Sequence, residues 1–133
     1  MNFSPFLTGS WENRFSVGTK LQIINPSQNQ LEIIVAFIDH HGQYLQCFRS
    51  EEPIGPNQMW EIDTPKLESE FGVVKILAHV NGVVKPGLVG FQRRLISVNS
   101  SMDTPFSESQ LSAIPMSLAQ EEYDLVVAHF PDS

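Results

Sequence analysis

Residues 19–67 read TKLQIINPSQNQLEIIVAFIDHHGQYLQCFRSEEPIGPNQMWEIDTPKL, and this stretch decides the fold class. Its apolar runs, the last of them a predicted strand at Gln58–Asp63, are separated by three clusters of turn-forming residues: Asn25-Pro26-Ser27, His41-Gly42 and Gly55-Pro56-Asn57. Each run has the length of a β-strand, and proline ends a strand because it has no N–H to donate to a neighbour. This alternation predicts an antiparallel meander of the kind found in β-sandwiches.

The longest predicted strand, residues 30–39, has apolar side chains on both of its faces. The side that we assign to the core carries Leu31, Ile33, Val35 and Phe37. The other side carries Ile34 and Ile38, although an antiparallel strand with one solvated face normally has polar residues there. We therefore predict that Ile34 and Ile38 meet another subunit.

The segments after this meander continue the same pattern. Strands are predicted at residues 71–80, 88–98 and 123–130, from alternating apolar residues and from a β-branched pair in the last segment. Ser107 and Gln110 have the spacing of a helix capping box, which predicts a short helical turn near residues 107–112. The predicted fold is an all-β antiparallel β-sandwich of seven to eight strands with this one turn.

The domain organisation follows from the length and from the N-terminal residues. At 133 residues the chain is expected to form one domain. Residues 1–18 carry several aromatic side chains and are predicted to form an N-terminal arm that docks on the domain or on a neighbouring subunit. Residues 19–133 are predicted to form the single sandwich domain.

The net charge of −7 disfavours binding to a phosphate backbone, which needs clustered Lys and Arg, so no nucleic-acid partner is predicted. Charged residues make up 17% of the chain, below the roughly 25% that is usual in soluble domains. Surface covered by other subunits accounts for a low charge content, and we predict a homo-oligomer. Cys47 is the single cysteine, which excludes an internal disulfide.

Targeting signals are not evident in the sequence. The N-terminal segment lacks the charged and continuous apolar regions of a secretory signal. No apolar run approaches the roughly 20 residues that a membrane-spanning helix needs. The expectation is a cytoplasmic protein that is not embedded in a membrane.

Histidines are the first candidates for a functional site. His40 and His41 follow Asp39, and imidazole with carboxylate can bind a transition metal. Adjacent side chains in an extended chain point apart, however, so exposed turn residues are the favoured interpretation. His79 and His129 are expected in strands as hydrogen-bonded histidines. No nucleophile motif is present, and we predict a protein without catalytic residues, metal or cofactor.

Aromatic and basic residues provide the other candidates. An exposed tryptophan on a sandwich face is the usual platform for a sugar, which makes Trp11 and Trp60 candidate ligand-binding residues. Arg93 and its neighbour Arg94 are the one place where two basic residues are adjacent. With His40 and His41, these residues form the predicted ligand-binding set: Trp11, Trp60, His40, His41 and Arg93.

Residues 23–119 resemble the sensory rhodopsin transducer family of small soluble bacterial and archaeal proteins. The resemblance rests on Ile23-Ile24-Asn25, the strand LEIIVAFID with its following turn, the segment Glu52-Pro53-Ile54-Gly55-Pro56, the strand Leu88–Leu95, and the Ser-rich segment SESQLSAIP. It implies a β-sandwich subunit of a homotetramer without enzymatic activity. It also implies binding to the cytoplasmic side of a membrane photoreceptor, with proposed roles in transcription or small-ligand binding.

The sequence thus predicts a non-catalytic, homo-oligomeric binding or signalling adaptor with a possible protein partner. A carbohydrate- or small-ligand-binding module built on Trp11 or Trp60 is the alternative. A metal-dependent enzyme that uses His40, His41, His79 or His129 is a third hypothesis.

Overall fold

The computed structural model describes residues 6–12, 17–64, 67, 69–85, 87, 89–98, 102–114 and 116–130. These residues form ten β-strands and one α-helix. In chain order they are β1 (Phe6–Glu12), β2 (Val17–Asn25), β3 (Glu32–Asp39), β4 (Tyr44–Arg49), β5 (Gln58–Asp63), β6 (Phe71–Val80), β7 (Val83–Val84), β8 (Val89–Val98), β9 (Met102–Gln110), β10 (Ser112–Ala113) and α1 (Met116–His129).

Two antiparallel sheets carry the described strands. The first sheet has the order β10-β1-β6-β3-β4, with β7 paired to β6, and the second has the order β5-β2-β8-β9. Leu21 and Ile23 of the second sheet pack with Ile33, Val35 and Phe37 of the first in one buried cluster. The predicted all-β sandwich is therefore confirmed, with β3 directing the predicted side chains into the core.

The turn chemistry of the sequence fixes the hairpins. β3 and β4 are joined at Gly42, whose φ is 87°, and β6 and β7 are joined at Asn81-Gly82, both with positive φ. The predicted strands at residues 58–63 and 71–80 coincide with β5 and β6. Of the ten described strands, β7 and β10 have two residues each, and the other eight match the predicted number.

The predicted separation of an N-terminal arm from the sandwich domain is wrong where the structure describes that segment, although its aromatic residues do pack on the chain's own core, as one of the two expected forms of docking. Residues Phe6–Glu12 form β1, which lies between β6 and β10 inside the first sheet. Trp11 is 1% exposed, and its indole N–H donates to the carbonyl of Ile38 at 3.0 Å. The aromatic residues of this segment are thus explained by core packing, and β1 belongs to the sandwich.

The two C-terminal predictions are also wrong. Ser107 and Gln110 lie in β9, where Gln110 pairs with Phe91 of β8, so an extended ladder replaces the predicted helical turn near 107–112. Residues 123–130 were expected to form a strand, but α1 runs through Met116–His129. Ala119, Tyr123 and Val126 are spaced by four and three residues, which places them on one helical face.

This helix covers the outer face of the first sheet, the face directed away from the second sheet. Ile34 is 0% exposed and packs in one cluster with Ala119, Tyr123 and Val126. Ile38 is 4% exposed within the single chain. The predicted subunit contact through Ile34 and Ile38 is therefore wrong, because the chain buries both residues itself.

Candidate functional site

The candidate site lies between two strand edges. β4 ends the first sheet and β5 ends the second, and among the described residues each pairs with a single strand, β3 and β2 respectively. The connection between them is held against the sandwich by Ile54, whose N–H and C=O both bond to Leu31, at 2.7 and 3.0 Å. Asn25 adds a side-chain hydrogen bond of 2.7 Å to the carbonyl of Ile54. The two edges are thus kept in a fixed relation.

A groove with a volume of about 690 Å³ opens between these edges. We call it the β4–β5 groove; its lining residues are Phe48, Arg49, Ser50, Glu51, Glu52, Ile54, Gln58, Met59, Trp60, Glu61 and Ile62. Phe48, Trp60 and Ile62 are partly buried and pack against the core, so they form its apolar floor. A volume of this size suits a small molecule or a short stretch of chain.

The backbone of β5 presents hydrogen-bonding groups along the groove. Thr64 N–H donates to Thr19 C=O at 2.9 Å, which marks this pair as hydrogen-bonded. Hydrogen-bonded pairs alternate along an antiparallel ladder, so the backbones of Ile62 and Trp60 also bond to β2 in the register that the two strands share. It follows that the N–H and C=O groups of Met59, Glu61 and Asp63 point away from β2.

The rim of the groove is acidic. Glu51, Glu52 and Glu61 are exposed and line the groove. The Glu61 carboxylate accepts a hydrogen bond of 3.0 Å from the Gln22 amide. With three carboxylates among its lining residues, the groove favours a ligand that carries positive charge.

The Arg49 side chain lies on the other face of β4, the face that α1 covers. Arg49 is paired with Ile34, whose side chain belongs to the cluster under α1, and residues directly across two paired strands share a face. Its Nε is buried, and no hydrogen-bond partner for it exists among the described residues. The charge of Arg49 acts on His79, on this same face of the first sheet, and helps to lower the pKa of His79.

The histidine pair lies in the β3–β4 turn and not in the groove. The Asp39 carboxylate accepts hydrogen bonds from the backbone N–H groups of Gln43 and His41, at 2.8 and 2.9 Å, and these bonds lower the pKa of Asp39. His40 stacks on Phe71 with 4.3 Å between ring centroids, and His41 lies 4.0 Å from His40. Both histidines are exposed residues of this turn.

The other two histidines also make structural contacts. His79 is 6% exposed, and its Nδ1 accepts a hydrogen bond of 3.2 Å from the Gly82 N–H. Burial lowers the pKa of His79. His129 lies in α1 and not in a strand, and its ring stacks on Tyr44 at 4.1 Å. In the described part of the chain, no three His, Cys, Asp or Glu residues are grouped as metal ligands.

The structure does not bring the predicted ligand-binding residues together. Trp11 is buried in the core, and His40 and His41 lie in the β3–β4 turn. Arg93 pairs through its backbone with Lys20 and Glu108 in the second sheet, and its side chain lies outside what the structure describes. Trp60 alone of the set lines the groove.

Sequence reasoning missed the partners of Trp60. Phe48 joins it only because β4 and β5 are edge strands of different sheets, and strand order cannot be read from local patterns. One signal was available in β5, where exposed and partly buried residues alternate through Met59, Trp60, Glu61 and Ile62. A strand with that alternation and a closely following proline suits a sheet edge.

Comparisons with known proteins add information on the fold. No protein-family model and no curated protein matches the chain. The crystal structure of Thermotoga maritima 1070 is similar, with a TM-score of 0.59 and 16% identity over 86% of this chain and 97% of that chain. At this identity the similarity establishes a shared fold. No helix within the described residues is long and apolar enough to cross a membrane.

Proposed function

We propose that this chain is a non-catalytic binding protein that acts as an adaptor, and that the β4–β5 groove is its binding surface. The proposal rests on one observation: the outer edges of β4 and β5, with which no described strand pairs, lie on either side of an apolar floor. Open edges are normally blunted or covered because they recruit other chains. Here they are combined with exposed Met59 and partly buried Trp60, side-chain types that are enriched in protein contacts.

The absence of catalysis is part of the proposal and rests on the contacts of the reactive side chains. Cys47 is a buried free thiol in the outer-face cluster under α1. His79 uses Nδ1 to accept the Gly82 N–H, and His129 stacks on Tyr44. Side chains engaged in this way serve packing, and the metal-dependent enzyme hypothesis gains no support from them.

A signalling role extends the proposal through the resemblance to sensory rhodopsin transducers. That resemblance supports a cytoplasmic adaptor that assembles as a homotetramer and contacts a protein partner. Ile34 and Ile38 are buried within the chain and no longer support the assembly. Leu118 and Leu125 lie seven residues apart on the same face of α1, and they are 50% and 43% exposed. Analytical ultracentrifugation at micromolar concentration tests the assembly: a tetramer mass is expected, and a monomer mass contradicts it.

Carbohydrate binding is the second candidate function, and Trp60 is the observation that favours it. Trp60 lines the groove, and Gln58, on the same face of β5, supplies an amide group of the kind that binds sugar hydroxyls. Trp11 offers no second platform, because it is buried in the core.

Parallel peptide and glycan arrays test both candidates. The wild-type protein is compared with Met59→Glu in the groove and with Val83→Glu on β7, since Met59 and Val83 are both 53% exposed. We expect peptide hits that Met59→Glu weakens and Val83→Glu leaves unchanged. Hits on glycans alone with the same dependence on Met59 favour the sugar module. Hits on neither array, or hits that are insensitive to Met59→Glu, contradict the proposed surface.

A further inference from the structure

We propose that the occupant of the β4–β5 groove is an extended, Lys- or Arg-bearing peptide segment of another protein, which adds as a new strand to the outer edge of β5. This inference rests on the proposed function and specifies the chemistry of the partner. Addition of a strand to an open sheet edge is a common mode of peptide recognition, in which the backbone provides affinity and alternate side chains provide specificity.

The backbone of β5 has the groups that such a strand requires. Met59, Glu61 and Asp63 direct their N–H and C=O groups away from β2, and no described strand pairs with that side of β5. The register is well defined, because Thr64 and Thr19 are joined by both a backbone bond of 2.9 Å and a side-chain bond of 2.7 Å. A peptide can therefore bond along β5 without disturbing its pairing with β2.

The side chains of β5 set the pattern of the peptide. Trp60 and Ile62 turn toward the core and form the groove floor, whereas Met59, Glu61 and Asp63 are exposed on the opposite face. Residues directly across two paired strands share a face. Peptide residues beside Trp60 and Ile62 would thus contact the apolar floor, and those beside Glu61 and Asp63 would meet carboxylates.

Charge selects a cationic peptide. The lining contains Glu51, Glu52 and Glu61, and Asp63 follows on β5 with its side chain 79% exposed. Lys20 approaches Asp63 at 3.7 Å, so part of that charge is shared, while Glu61 is bonded to a neutral amide. Opposite charges across a strand pair stabilise it, and like charges destabilise it.

The same charges disfavour a second copy of the chain that pairs through β5 about Glu61. If two β5 strands paired antiparallel about Glu61, each Glu61 would lie beside the other, and Asp63 would lie beside the exposed Met59. Acidic residues on an edge strand are a known means of preventing such self-pairing. An edge that repels its own copy remains open to a basic partner.

Fluorescence anisotropy with short labelled peptides tests the inference. The probe is a blocked peptide of alternating Val and Lys with the six-residue length of β5, and the matched control replaces each Lys with Glu. We expect the Val/Lys peptide to bind at least about tenfold more tightly than the Val/Glu peptide, with affinity falling as salt is added. Glu61→Gln should weaken binding, and Glu121→Gln on the exposed side of α1 should not.

Methylation of peptide amides then tests the strand geometry. In an added strand, alternate amides point toward β5, so methylation of one alternating set should reduce affinity by about tenfold or more, whereas methylation of the other set should change it little. Equal loss from both sets overturns strand addition. Equal binding of both peptides, or self-association through β5, overturns the basic partner. If the arrays yield only ligands other than basic peptides, and Met59→Glu weakens their binding, this inference is overturned but the proposed binding surface is retained.

Discussion

Glu122 of α1 and Lys75 of β6 form an ion pair with 2.5 Å between Oε1 and Nζ, beneath a helix that the sequence pattern did not predict. The Tyr44 hydroxyl of β4 donates to the same carboxylate oxygen at 2.8 Å. Both members of the pair are mostly shielded, with the Lys75 side chain 25% exposed and the Glu122 side chain 16% exposed. The helix is thus fastened to two strands of the first sheet at a single carboxylate.

Glu122→Gln should loosen α1. The change removes the charge that pairs with Lys75 and weakens the acceptor for Tyr44, and loss of one partner from a partly buried pair costs about 1–3 kcal/mol. We expect a lower free energy of unfolding in urea and faster amide hydrogen exchange in α1. Glu121→Gln is the matched control because Glu121 is exposed on the same helix. Equal effects of the two substitutions would refute the fastening role.

Tyr44 should resist ionisation at alkaline pH. Burial raises the pKa of Tyr44, and the hydrogen bond and negative charge of Glu122 raise it further. The pKa of Tyr44 is therefore higher in the folded state than in the unfolded state, where it is near 10. The resulting stabilisation of the fold is fully present below pH 10 and is lost as the pH rises above that value. The phenolate absorbance of the wild type minus that of Tyr44→Phe measures the titration directly. Half-ionisation of Tyr44 at its ordinary pKa would contradict this environment.

His79 should remain neutral in mildly acidic solution. Burial lowers the pKa of His79; Glu32 at 3.7 Å opposes this shift, and Arg49 reinforces it. The unfolded chain then binds a proton more readily, so the free energy of unfolding should fall as the pH drops below the unfolded value near 6.5. NMR titration of the ring, assigned with His79→Gln, is the measurement. A midpoint above that value would be inconsistent with the buried neutral imidazole.

Ile34→Ala should destabilise the monomer and leave its assembly unchanged. Ile34 is 0% exposed between β3 and α1, and truncation of such a side chain costs about 2–5 kcal/mol. Urea unfolding measures the loss, and sedimentation measures the assembly. Val83→Ala on β7, where the side chain is 53% exposed, is the control and should have a small effect. A change of oligomeric state in Ile34→Ala would restore the predicted subunit contact.

Local patterns predicted the strands because alternation and turns are local properties. The hairpin at Gly42 and the strand Gln58–Asp63 follow from residues only a few positions apart. β9 was missed because its pairing with β8 overrides a capping-box pattern at Ser107 and Gln110. In that segment the long-range ladder, which no local pattern reports, determines the structure.

The sequence did not predict α1 or the β4–β5 groove, and the physical reasons differ. Ala119, Tyr123, Val126 and Phe130 have helical spacing. The predicted strand covered only residues 123–130, and without Ala119 too few apolar positions remain to distinguish a helix from a strand. The groove depends on which strands lie at the sheet edges. Trp60 was named on its chemistry, and its neighbour Phe48 follows only from the strand order of both sheets.

Amide chemical-shift mapping shows where a peptide binds on this chain. The blocked Val/Lys peptide is titrated into labelled protein, and each backbone amide is followed. We expect shifts concentrated at Met59, Glu61 and Asp63 on the open side of β5 and along the facing edge of β4, with α1 unaffected. Shifts confined to α1, or none at peptide saturation, would contradict the assignment of the β4–β5 groove as the binding surface.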